Sequence, residues 1–138
     1  MKSIDRAQLY SLTGLALGVT FGGAGAGSAK IFANGRIVIK ITTGAASGQD
    51  ITLTTPTAFT VRDIKSIHAN ATASAWTLKN GSNGVTAAVA VANSDNDIDR
   101  AVGIINAEYA FLEDDDDLVL TISTAAFLGD FVIDIDFD

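Results

Sequence analysis

The stretch Phe131-Val132-Ile133-Asp134-Ile135-Asp136-Phe137-Asp138 alternates apolar and acidic side chains. In an extended chain successive side chains point to opposite faces, so Phe131, Ile133, Ile135 and Phe137 form one apolar row and Asp134, Asp136 and Asp138 one wet row. A helix would scatter both sets around its axis. The segment therefore predicts a half-buried strand, which needs a second apolar layer to cover it.

Toward the N-terminus the same period recurs. Leu118, Leu120 and Ile122 form another row, and Trp76-Thr77-Leu78 leads through the turn Asn80-Gly81-Ser82-Asn83-Gly84 into Val85, Val89 and Val91. Phe59-Thr60-Val61 continues into Ile64 and Ile67 with a change of apolar phase near Asp63, which predicts a β-bulge. Ile51 to Thr55 is a short strand bounded by Pro56, and Val102 to Ile105 reads as another. Ile37, Ile39 and Ile41 point one way while Arg36, Val38 and Lys40 point the other; the preceding Asn34-Gly35 predicts a two-residue type I′ hairpin. Ile41 to Ala46 with Gly48 and Asp50 is echoed by Ile122 to Ala126 with Gly129 and Asp130, the same strand-turn-strand solution used twice. Short strands at about ten-residue spacing, with no long helix, predict an all-β fold, an antiparallel β-sandwich that is jelly-roll-like.

The N-terminal stretch differs. Residues 7 to 29 carry no charge, and Lys2 and Arg6 precede them, the outline of a membrane span or signal peptide. Asp5 in the basic region and six glycines in the apolar run argue against both. Ser3 is placed to cap a short helix through about Leu12. Leu15, Leu17, Val19 and Phe21 then alternate with Ala16, Gly18, Thr20 and Gly22, and Gly22 to Ser28 has the composition of a flexible tether. The expected organisation is an extended N-terminal arm and Gly-rich tether over residues 1–29, then a β-sandwich domain over 30–138. Ile4, Leu9, Leu12, Leu15, Leu17, Val19 and Phe21 are the expected partner contacts of the arm.

Composition narrows the function. The chain has 138 residues, one domain's length, and its 40 Ile, Val, Leu and Phe residues suffice for a core. Ala, Gly, Ser and Thr supply 58 more, which suits thin, closely packed β layers. Absent cysteine removes disulfides, thiolate zinc sites and cysteine nucleophiles. A net charge of −7 argues against non-specific nucleic-acid binding. That charge is uneven: residues 1–92 carry eight basic and three acidic side chains, residues 93–138 one basic and thirteen acidic. Such asymmetry favours oriented docking on a partner.

No chemical constellation stands out. Asp95, Asp97 and Asp99 have the alternate spacing of a calcium loop, but Arg100 stands where the EF-hand glycine belongs and Asn106 where its bidentate Glu belongs. A non-EF site shared with Glu113 to Asp117 is the residual metal reading; a solvated acidic loop is preferred. The five consecutive carboxylates of Glu113-Asp114-Asp115-Asp116-Asp117 offer no contrast of environment for acid–base catalysis. His68, the single histidine, has neither a nucleophile elbow nor a second histidine to complete a site. The glycines from Gly22 to Gly27 lack the following helix of a dinucleotide loop. The expectation is a non-enzyme with no cofactor and no metal. Trp76 with Tyr109 or Phe111 is the alternative site, a sugar platform, as in a glycan-binding or adhesin-type β-sandwich module of a phage tail or bacterial surface.

A small, Cys-free, Ala/Gly/Thr-rich β domain with an apolar N-terminal arm, the hairpin Ala29-Lys30-Ile31-Phe32-Ala33-Asn34-Gly35-Arg36 and an Asp-rich C-terminal half resembles the capsid decoration (cement) proteins of tailed bacteriophages. The resemblance covers the overall layout and includes no diagnostic motif. It implies a homotrimer on the outer surface of an icosahedral virion, binding the major capsid protein through its arms, with neither nucleic acid nor membrane as partner.

Overall fold

A computed structural model describes residues 14–45, 48–69, 73–91, 97–123 and 126–138. Among them the chain forms β1 (Leu15–Leu17), β2 (Val19–Phe21), β3 (Ala26–Phe32), β4 (Arg36–Thr43), β5 (Gly48–Thr54), β6 (Phe59–His68), β7 (Ser74–Asn80), β8 (Asn83–Gly84), β9 (Val89–Val91), β10 (Ile98–Arg100), β11 (Phe111–Leu112), β12 (Asp117–Ser123) and β13 (Gly129–Phe137). The described residues contain no helix.

The acidic-apolar strand β13 lies in the middle of the first sheet, whose order is β1-β3-β4-β13-β6-β10, with β11 also on β6. The second sheet runs β2-β5-β12-β7-β8, with β9 also on β7. All pairings are antiparallel. The series β4-β13-β6-β10 and β5-β12-β7-β9 exchange strands repeatedly: β4 is followed by β5, β6 by β7, β9 by β10 and β12 by β13 in the opposite sheet. That wrapping is the jelly roll, two Greek keys rolled into a double sheet.

The apolar rows meet between the sheets. Ile31, Ile37, Ile39, Phe59, Ile64, Phe131 and Ile133 come from the first, and Ile51, Leu53, Trp76, Leu78, Leu118 and Leu120 from the second; all are buried. Each such side chain contributes roughly 1.5–3 kcal/mol relative to exposure. Trp76 meets Phe131 edge-on, with centroids 5.4 Å apart, and Phe127 lies 4.7 Å from Phe131.

The expected bulge is present. Asp134 pairs with Asp63 but Ile135 with Val61, so Arg62 is the extra residue and both Val61 and Ile64 face the core. The hairpin differs from the expected two-residue form. Phe32 pairs with Arg36, the loop is Ala33-Asn34-Gly35, and only Gly35 has a positive φ, +85°. A two-residue loop would set Lys30 opposite Ile39 and force it toward the core. The extra loop residue sets Ala29 opposite Ile39 and Lys30 opposite Val38, so burial selects this register.

Residues 15–21 stitch the two sheets together: β1 pairs with β3, β2 with β5, and the chain changes sheet at Gly18. Leu15, Leu17, Val19 and Phe21, assigned above to the arm, pack half-buried against this chain's own core. Ile4, Leu9, Leu12 and the helix expected near them lie outside the described residues. The glycine-rich stretch is a turn whose Gly22 N–H donates to the Asp50 carbonyl, followed by the first residues of β3, so position 29 falls inside a strand. Close approach explains glycine at 27: a Cβ there would collide with the Lys40 carbonyl oxygen.

The two echoed segments are neighbours. Each carries the chain from one sheet to the other, and a Cβ on Gly44 would meet the Phe127 backbone. Val102 to Ile105, expected as a strand, lies instead in the loop between β10 and β11.

Candidate functional site

Seven described residues are Lys or Arg, and six of them lie on the outer face of the first sheet: Lys30, Arg36, Lys40, Arg62, Lys65 and Arg100. The inner face is largely apolar, so every lysine and arginine on these strands is driven outward. The arginines are paired: Arg36 with Asp134 at 3.3 Å, Arg62 with Asp136 at 3.2 Å, and Arg100 with Asp63 at 3.0 Å. All three pairs are solvent-exposed, so each contributes at most about 1 kcal/mol. The lysines have no carboxylate within 4.0 Å among the described residues, although Asp130 sits opposite Lys40. Lys30, Lys40, Ser28, Phe32 and Val38 line a shallow groove of about 280 Å³ over β3 and β4.

The carboxylate run occupies the turn between β11 and β12 at one end of the sandwich. The Glu113 amide donates to Asp116 Oδ2 at 2.9 Å, the Asp116 amide to the Glu113 carbonyl, and the Asp115 amide to the Thr55 carbonyl. Asp115 has φ +66°, a left-handed geometry that Asp tolerates better than most residues. This bonding fixes the backbone while Glu113 and Asp115 remain exposed.

A third surface is apolar. Ile98 is 56% exposed, Ile105 60%, and Val102 fully exposed, along β10 and the loop that follows; Phe111 stands at the loop's far end. The loop is held where its backbone bonds reach, with Ala101 N–H donating to Ile64 and Ile105 N–H to Val85. Ile104 and Tyr109 of this loop turn back onto the core, while Val102 and Ile105 are left in water, an arrangement associated with interaction surfaces.

Inside, one polar cluster lies beneath β10. His68 is fully buried and stacks on Phe127 at 4.9 Å; neither ring nitrogen has a hydrogen-bond partner among the described residues, nor has Asp99 Oδ2. Ser66 accepts a 3.0 Å bond from Trp76 Nε1. Burial raises the Asp99 carboxyl above its ordinary value, the Asp97 carboxylate adds to the rise, and His68 opposes it. Just above the ordinary carboxylate range the folded state thus keeps a proton that the unfolded chain has released. Stability falls as pH climbs through that window. Asp99→Asn cannot ionise, so it is expected to raise the urea midpoint at pH 7, and the gain should vanish near about pH 3, where both states are protonated. An equal gain at both pH values would refute the ionisation account.

Several sequence candidates are separated by the fold. Trp76 is buried, so it presents no sugar platform with Tyr109 or Phe111. Asp99 pairs with Ser66 while Phe111, just before the acidic turn, pairs with Thr60 on the same strand. These registers are six positions apart along β6, about 20 Å. Among the described residues, Asp99 and the acidic turn therefore do not share one cation; Asp95 lies outside them. The lysine groove was not among the candidates, because Lys30 and Lys40 become neighbours only through the hairpin register. No protein-family model, no curated protein and no solved structure matches this chain.

Proposed function

We propose that this is a structural virion protein, a decoration protein that seats on the major capsid protein at the outer surface of an icosahedral tailed-phage shell and acts as a homotrimer. The observation that carries the reading is the exposed apolar edge of Ile98, Val102 and Ile105 on a well-buried β-sandwich, a surface suited to docking on another protein. The resemblance in layout supplies the capsid as the partner. Fold alone assigns no activity, although jelly rolls occur in capsid proteins. In this reading residues before Gly14, with Ile4, Leu9 and Leu12, add contacts from each subunit, and three modest contacts on one shell reinforce one another through effective concentration.

Co-sedimentation with empty heads from a panel of tailed phages tests the proposal. The wild type is expected to saturate at least one shell type, and Val102→Asp/Ile105→Asp to lose binding by at least about tenfold, as for a truncated hot spot. Deleting residues 1–13, which leaves every described strand in place, should weaken binding further. Failure of the wild type to bind any shell, or full occupancy by the double variant, would overturn it.

A further inference from the structure

We infer that the Lys30–Lys40 groove receives the Glu113–Asp117 turn of a second copy of this chain, forming a head-to-tail contact that closes the trimer. The inference rests on the trimer in the reading above, though not on the capsid.

A three-fold ring cannot be built from one self-complementary patch. Each subunit must present two different patches, one to each neighbour. The groove supplies a cationic patch whose lysines have no carboxylate within 4.0 Å among the described residues, with Ser28 as a hydroxyl and Phe32 and Val38 as an apolar floor. Lys65 extends it, because Lys30 pairs with Val38, Val38 with Val132, and Val132 with Lys65 across the sheet. Asp130, opposite Lys40, is the acidic group at the groove's rim. The remaining outer-face acids Asp63, Asp134 and Asp136 are each paired with an arginine. The sheet therefore neutralises its arginines internally and leaves its lysines for another molecule.

The complementary patch is the acidic turn, and it is out of reach within one subunit. Val132 marks the groove on β13, whereas Phe137 pairs with Phe59 beside β11 at the acidic end. They are five positions apart along β13, about 17 Å, before the turn begins. That exceeds the screening length of about 8–10 Å at physiological salt, so a subunit's own carboxylates do not satisfy its lysines. The backbone bonds among Glu113, Asp116 and Thr55 present the turn as a fixed shape, which reduces the ordering cost of docking.

Charge reversal on the isolated protein tests the contact, read by sedimentation velocity at low ionic strength and at about 0.5 M salt. The wild type should sediment as a trimer that weakens with salt. Lys30→Glu/Lys40→Glu and Glu113→Lys/Asp114→Lys should each weaken association at least tenfold while retaining the wild-type circular dichroism spectrum and urea midpoint. Combining all four substitutions in one chain should restore the trimer, which neither a folding defect nor a general charge effect would do. A wild type that is monomeric at low salt, single reversals that leave its mass unchanged, or a fourfold variant that stays dissociated would overturn the inference. So would a monomer whose binding to shells is lost on groove reversal, since the groove would then serve an acidic partner protein. Trimers built this way that ignore every shell would leave the contact standing and refute the capsid reading alone.

Discussion

Replacing Phe131 by alanine is expected to cost about 3–5 kcal/mol of folding stability, the range for deleting a buried aromatic ring. Phe131 is fully buried and touches both Trp76 and Phe127, so its ring joins the second sheet to the crossing before β13. Removing it leaves a cavity bounded by two large rings that are themselves held, Trp76 by its bond to Ser66 and Phe127 by its stack on His68. Such walls do not collapse readily, which places the loss toward the upper end of that range. Against a total of about 5–15 kcal/mol, the variant would be marginal. Urea denaturation checks this, with Val132→Ala on the outer face of the same strand as the control. Equal losses in the two variants would mean that strand propensity, not burial, sets the effect.

The second large effect is expected at Gly129→Ala. Gly129 opens β13 at φ +143°, a backbone geometry costly for any residue with a side chain, and its Cβ would collide with the Ile67 carbonyl oxygen. Strain and overpacking each cost about 1–3 kcal/mol, so together they should remove roughly 3 kcal/mol or more. The comparison is Gly81→Ala, where φ is +59° but a Cβ meets nothing within 4 Å. There only the conformational cost applies, about 1–2 kcal/mol. If the two variants melted together, close packing at 129 would not be the cause.

Much of the fold was legible because burial leaves a mark of period two wherever one face of a strand is wet. Phe131 to Phe137 and Ile37 to Ile41 carry that mark, and even the bulge at Arg62 showed as a slip of phase. β10 was missed because it reverses the rule: Ile98 points to water and Asp99 inward, so a pattern reader sees an acidic loop. Val102 and Ile105 misled in the opposite sense, since residues that favour strands stand in solvent. The cationic groove depends on bringing two lysines ten positions apart onto one face of the sheet. A single-residue error in the hairpin loop hides it, because that slip turns Lys30 to the other face. Trp76 and His68 were distinctive as residue types, but composition says nothing about which side of a sheet a ring occupies.

The place of β13 also bears on how the protein is made. In the first sheet β3–β4 and β6–β10 are not paired with each other; β13 joins them, and it is translated after both. A nascent chain stopped before Gly129 therefore carries two half-sheets, each exposing an open edge with apolar side chains beside it. Unpaired edges of this kind recruit other chains. On the ribosome the protein is expected to need a holding chaperone until β13 emerges, and then to fold slowly because its decisive contacts are distant in sequence.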